Sequence, residues 1–347
     1  MDMIDSSLTN IQQVSAHYVG NPVNGESLRL SEAPIDVDNE RVHQLLRTYF
    51  LSNFNTPEYN TFTFSNEDFT LNPIYKFASD IFSSPESFHE NSVNIARHLY
   101  DATQHPNIKA GELYIAFFDS IEIQNMSVEA IGIFKSENKE NYLKLSSQFG
   151  LSADEGINIK KLDKGCLILN AEHDEGYKVL IVDNINKSDA HFWKHDFLNI
   201  KPRSDAYHHT NNFMKLTKQY VEEQLSEEFS VSKADKIDLL NRSMEFFRSK
   251  EEFSKSDFEV SVLGNADVIE SFRNYGNDFM TTNKFDVIDH FEISAQAVKR
   301  QAKVFKSVLK LDKNFHIYIH GNRELIEKGF DEVTGRHYYK LYFENES

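Results

Sequence analysis

LYIAFFDSIEI (residues 113–123), VEAIGIFKS (128–136), NYLKLSS (141–147), GCLILN (165–170) and YKVLIVD (177–183) follow one another with only polar or glycine-containing connections between them. Each run has strand length and is apolar or alternating in pattern. No helix-length segment intervenes, and strands joined by short connections pair antiparallel. Residues 111–184 therefore read as an antiparallel sheet, arranged as a meander. Asp119, Asn125, Asn138 and Gly176 fall near the connections, where turn chemistry favours them.

Upstream of the sheet the period changes to that of helices, after a short strand. Val42, Leu45, Leu46, Tyr49 and Phe50 recur at helical spacing, with Asp36 or Asp38 available as an N-cap. Pro73 suits the first position of a second helix carrying Ile74, Phe77, Ala78, Ile81 and Phe82. Ser84-Pro85 restarts a third helix through Phe88, Ile95 and Leu99, which should stop near His105-Pro106. Downstream, Ser188 is placed to cap a helix bearing Phe192, Trp193, Phe197 and Leu198, and residues 205–280 are largely helical in pattern. NFHIYIHG (314–321) and HYYKLYF (337–343) read as closing strands. The expected architecture is α+β: N-terminal helices with a central antiparallel sheet, then a helical region and a C-terminal strand pair. We place an N-terminal α+β domain at 1–184 and a mostly helical domain at 185–347.

Among 347 residues, 28 Phe and 15 Tyr supply enough apolar surface for a globular chain. The start, MDMIDSSLTN, lacks the basic and apolar regions of an export signal, and no apolar run is long enough to span a bilayer. A soluble, unexported, cytoplasmic protein with no membrane partner is expected. The single cysteine, Cys166, excludes a disulfide framework and a thiolate zinc cluster and reads as a strand residue. Phosphate-cradling glycine loops and a Gly-x-Ser-x-Gly elbow are absent. His191 and His195 lie four apart but lack a third ligand at a standard spacing, so they read as a solvated helix face. Neither a metal, a cofactor nor a catalytic residue is expected.

The net charge of −17 argues against generic affinity for nucleic acid. One segment runs against it. SAQAVKRQAKVFKSVLK (294–310) holds Lys299, Arg300, Lys303, Lys306 and Lys310 and no acid, while Ala295, Val298, Ala302, Phe305 and Leu309 form a parallel apolar stripe. As one helix, the stretch from 299 to 310 would run roughly 16 Å, twice the Debye length of about 8 Å at physiological salt. Such a patch can present its own sign on an acidic protein. Lysines at this spacing contact phosphates as point charges, which favours duplex backbone over base readout. Five phosphate contacts would give a salt slope of about −4.5, or on the order of 500-fold weaker binding between 50 and 200 mM salt. The same stripe would serve equally to pair with acids of this chain or of another subunit. Lys160, Lys161 and Lys164 form a second basic cluster before the GCLILN strand.

Several strings resemble one family: LNPIYKFASDIF (71–82), IARHLYDATQHPNIKAGELYIAFF (95–118), AIGIFKSENKENYLK (130–144), KGCLILN (164–170), FWKHDFL (192–198), SVLKLDKNFHIYIHG (307–321) and HYYKLYF (337–343). In order, and over nearly the whole chain, they are similar to the bacterial 37-kDa nucleoid-associated protein family. The resemblance implies a cytoplasmic, nucleoid-localised, DNA-associated and dimeric protein of mixed α and β fold without enzymatic activity. Double-stranded DNA is then the expected partner, through Lys299, Arg300, Lys303, Lys306 and Lys310 with Lys160, Lys161 and Lys164. The alternative is an acidic protein-interaction adaptor in chromosome-handling or mobile-element defence machinery.

Overall fold

The computed structural model describes residues 4–56, 58–123, 126–147, 150–184, 191–283, 287–305, 308–319 and 323–345. The chain divides into two compact units, Met1–Arg203 and Ser204–Ser347.

The first unit is built on the expected antiparallel sheet. Its strands are β1 (Ile11–Val19), β2 (Asn60–Phe62), β3 (Gly111–Ile123), β4 (Met126–Ser136), β7 (Lys164–Leu169), β8 (Lys178–Asp183) and β9 (Ile200–Pro202), in the order β1-β3-β4-β7-β8-β2-β9. Every pairing is antiparallel. The register aligns Ile115, Ile133, Cys166 and Ile181 in one row across four strands. Within β3 a bulge between Phe118 and Ile121 places Asp119 inside a strand rather than at its end; there its carboxylate accepts from the Asn10 backbone N–H at 2.9 Å.

Both faces of this sheet are covered, which explains why its strands read as apolar runs rather than alternating ones. One face packs Leu113, Ile115, Ile131, Ile133, Cys166 and Ile168 against helices α2 (Pro73–Ser83) and α3 (Phe88–Ala102) and against Trp193 and Phe197. The other packs Phe118, Phe134, Leu167 and Leu180 against Tyr49 and Phe50 of α1 (Glu40–Leu51). Phe50 and Phe134 stack at 4.3 Å between ring centroids. Pro73 does open α2, behind an Asn72 side chain that accepts from two backbone N–H groups of the first turn. The cap of α1 differs from the expected one: Asn39, not Asp36 or Asp38, accepts from the Val42 N–H at 3.1 Å. Phe192–Phe197 forms a π-helical turn; Ser188 lies outside the described residues.

NYLKLSS is no member of the main sheet. It forms β5 (Glu140–Leu145), which pairs with β6 (Leu151–Gly156) in a separate hairpin emitted between β4 and β7. The meander therefore runs β3-β4-β7-β8.

In the second unit, α4 (Ala206–Gln219) continues through a π-helical turn to Glu228. It is followed by α5 (Lys233–Ser249), the strand β10 (Glu252–Ser254) paired with β11 (His290–Glu292), and α6 (Ala266–Asn283). A Ser232–Asp235 capping box opens α5. The core is aromatic, with Phe213, Tyr220, Phe247, Phe253, Phe258 and Phe272 in mutual contact. A smaller apolar cluster joins Ile237, Leu309, Ile319 and Ile326. The closing runs are strands, each in its own hairpin: β12 (Val308–Leu311) with β13 (Phe315–Tyr318), and β14 (Ile326–Asp331) with β15 (Arg336–Leu341).

Candidate nucleic-acid interface

The basic segment is not one helix. Helix α7 spans only Ala295–Ala302, opened by a Ser294 cap, and the chain then turns so that Phe305 joins the aromatic core. Val308–Leu311 is already strand β12. The apolar stripe thus feeds two cores, Phe305 the aromatic one and Leu309 the cluster around Ile237 and Ile326. Lys299, Arg300 and Lys303 stay together at the C-terminal end of α7, where cations interact favourably with the helix dipole. Lys310 sits on β12 opposite His316 and is exposed. Lys306 lies outside the described residues.

Helix α7 is held on α4 by its polar side as well as by Ala297 and Val298. The Ser294 backbone N–H donates to Thr210 Oγ1 at 3.0 Å, and Gln301 Nε2 donates to Asn211 Oδ1 at 2.6 Å, both buried. Arg300 Nη1 donates to the Tyr207 hydroxyl at 2.9 Å, which ties its guanidinium to α4 while leaving the residue exposed. Lys299 and Lys303 are exposed and in no ion pair among the described residues. The helix thus presents its cations from a seated platform.

Arg248 and Lys250, distant in sequence, lie by this platform. With Lys299, Glu251 and Glu292 they line a cavity of about 710 Å³ between the end of α5 and α7. Lys250 is committed to Asp257 at 3.1 Å and lies over the Phe246 ring at 4.5 Å. Arg248 is exposed in the last turn of α5. The only sequence signal for either was the short Arg248-Ser249-Lys250 run, which carries no periodicity to connect it with residue 299.

The second basic cluster separates. Lys160 and Lys161 are exposed in the β6–β7 connection of the first unit. Lys164 is 1% exposed, and its ammonium lies 3.0 Å from both carboxylate oxygens of Asp183. A cation so enclosed has no path to a phosphate, and its removal from the candidate set follows from its place on the fully covered strand β7. Lys135 is likewise buried, bound to Glu137 at 2.9 Å.

The remaining candidates are placed as follows. His191 and His195 are exposed with ring centroids 4.6 Å apart, and among the described residues no group of three or more His, Cys, Asp or Glu is arranged to hold a metal ion. Cys166 is buried in the sheet, and burial pushes its thiol well above the ordinary range. Among the described residues no helix is long and apolar enough to cross a membrane.

Charge along the chain follows the same division. Residues 294–347 hold ten Lys/Arg and seven Asp/Glu, whereas residues 1–293 hold 27 and 47. The cations are concentrated where α7 and the closing hairpins lie. No curated protein matches the chain closely enough to serve as a relative. The profile described as nucleoid-associated protein YejK matches residues 14–334, spanning the sheet, the helical region and α7, and on that extent the chain belongs to this nucleoid-associated family.

Proposed function

We propose that the protein is a non-enzymatic, cytoplasmic, homodimeric component of the nucleoid that binds duplex DNA with little sequence preference. Lys299, Arg300 and Lys303 on α7 make the principal phosphate contacts, with Lys310 on β12 beside them in the chain. Lys160 and Lys161 provide a separate set on the first unit. The observation that carries this reading is the pair Lys299 and Lys303, exposed and outside every ion pair among the described residues, at the end of a helix fixed by buried hydrogen bonds. Family membership supplies the expectation that a nucleic acid is what they meet. Lysines give a contact insensitive to base identity, because an ammonium satisfies any phosphate.

A mobility-shift titration of random-sequence duplex at low salt tests the proposal. Nonspecific binders reach dissociation constants on the order of 10⁻⁴ to 10⁻⁶ M at physiological salt and tighter below it, so no shift in that range overturns it. The variant Lys299→Glu/Lys303→Glu should weaken binding evenly across unrelated sequences. A second reading, an adaptor for basic protein partners, draws on the first unit, which holds 29 Asp/Glu against 17 Lys/Arg. It is favoured if that variant leaves DNA binding unchanged.

A further inference from the structure

The cavity of about 710 Å³ between the end of α5 and α7 lies wholly within the second unit. Its size falls in the range of small-molecule sites, roughly 300–1,000 Å³. Its walls are held in place by the fold itself. The Ile293 backbone N–H donates to the Glu251 carbonyl at 2.7 Å beside the β10–β11 ladder, and Ser294 and Gln301 seat α7 on α4. Three kinds of group converge on the space. Phe247 and Val298, both buried, form an apolar wall with Ile293 and Ala302. Arg248 from α5 and Lys299 from α7 are exposed and in no ion pair among the described residues, whereas Lys250 is held by Asp257. Glu251 and Glu292 add exposed carboxylates, which accept hydrogen bonds and donate none.

A fatty acid or inorganic phosphate suits the cations but meets two carboxylates, and a polyamine suits the carboxylates but meets three cations. The complement is a molecule that carries both an anion and N–H donors on an apolar ring. We propose that the cavity takes an unpaired nucleotide of the bound DNA, with guanine the preferred base. Arg248 and Lys299 meet its phosphate, the apolar wall takes the ring, and the carboxylates accept from the base edge. Guanine offers a ring N–H and an exocyclic amine side by side, which one carboxylate can accept together, whereas thymine offers a single N–H. An unpaired base is also the one that costs least to bring out of the stack. The inference rests on the DNA reading of α7, because Lys299 belongs both to that platform and to the cavity wall. It adds a preference for unpaired sites to a surface that treats intact duplexes alike.

Mobility-shift titrations of the full chain at low salt compare an intact duplex with the same duplex carrying one unpaired guanine or one unpaired thymine. The guanine bulge should bind about 10-fold tighter than the thymine bulge, a ratio from which the flexibility common to both bulges cancels. Glu251→Ala/Glu292→Ala should bring that ratio to about one, with an unchanged melting curve because both positions are exposed. Arg248→Ala should weaken the bulged duplexes more than the intact one. Equal binding of the two bulges by the wild-type chain overturns the inference and leaves the duplex reading standing. A guanine preference that survives Glu251→Ala/Glu292→Ala overturns the cavity as its source. Micromolar binding of free guanosine monophosphate in calorimetry, without a bulge preference, replaces DNA by a free nucleotide as the ligand. A chain that binds none of the duplexes overturns both readings.

Discussion

Lys164 and Lys299 are the same residue type with opposite surroundings, and the difference decides what each can do. Lys164 faces Asp183 from inside a sheet covered on both sides, at 1% exposure. Removing one member of such a pair strands the other charge, at about 3–5 kcal/mol. Asp183→Ala should therefore lower unfolding free energy by that amount in urea titrations, while duplex binding at low salt stays unchanged. His17 is a second buried group with a measurable signature. Its Nδ1 accepts from the Ser31 backbone N–H at 3.2 Å and its Nε2 meets Ser92 Oγ at 3.1 Å. Burial first, and His89 second, hold its pKa down to about 4, from an ordinary 6.5. The unfolded chain then binds the extra proton between those values. The stabilisation is complete above about pH 6.5 and is lost as pH falls toward 4, on the order of 3 kcal/mol for a shift of this size. His17→Asn should flatten the stability profile between pH 7 and 4.5, and an unaltered profile would show that other groups control it. The sequence could mark neither residue, because burial is a property of the layers above a strand and not of the strand's own pattern.

At the scale of elements, regular periodicity was informative where one element carried it throughout and misleading where the chain broke it between two. The helices around Pro73 and Phe88 and the strands β3, β4, β7 and β8 stand where their patterns placed them, the helices burying one apolar face and the strands both. The segment 294–310 kept helical spacing by coincidence: Val308-Leu309-Lys310-Leu311 fits alternation as well, and pairing with β13 decides for the strand. Only Lys299, Arg300 and Lys303 remain as a helical cluster, so the candidate site was legible as residues but not as one stripe. The β5–β6 arm shows the converse, for its Tyr-Leu-Lys-Leu alternation predicted a strand correctly and its sheet wrongly. Its position depends on Asp163, whose carboxylate accepts from the backbone N–H groups of Glu137 at 2.7 Å and Asn138 at 2.9 Å and from the Asn138 side-chain amide at 3.0 Å. Hydrogen bonds to a charged acceptor contribute about 1.5–3 kcal/mol each and are not additive. Asp163→Ala should cost about 2–4 kcal/mol and accelerate amide exchange at Glu137 and Asn138, whereas unchanged exchange would place the root of the arm elsewhere.

At the scale of the whole molecule, the α+β class followed from the order of patterns along the chain, and the family from strings distributed over nearly all of it. What composition concealed was the distribution of charge. Both units are acidic, 17 Lys/Arg against 29 Asp/Glu in Met1–Arg203 and 20 against 25 in Ser204–Ser347, yet the last 54 residues reverse the balance. A localised contact therefore has to act within a field of the wrong sign, and screening determines its reach. Each unit has a core of its own, on both faces of the sheet in the first and around the phenylalanine cluster in the second, so the two can be prepared apart. With Lys299, Arg300, Lys303 and Lys310 as the phosphate contacts of the second unit, its salt slope should be about −3.6, or roughly 150-fold weaker binding between 50 and 200 mM salt. Residues 204–347 alone should retain that slope, and residues 1–203 should show little affinity in the same titration. Loss of binding from 204–347 with retention in 1–203 would instead assign the contact to Lys160 and Lys161. A slope nearer −1.8 in the full chain would mean that only two of the four cations reach the duplex.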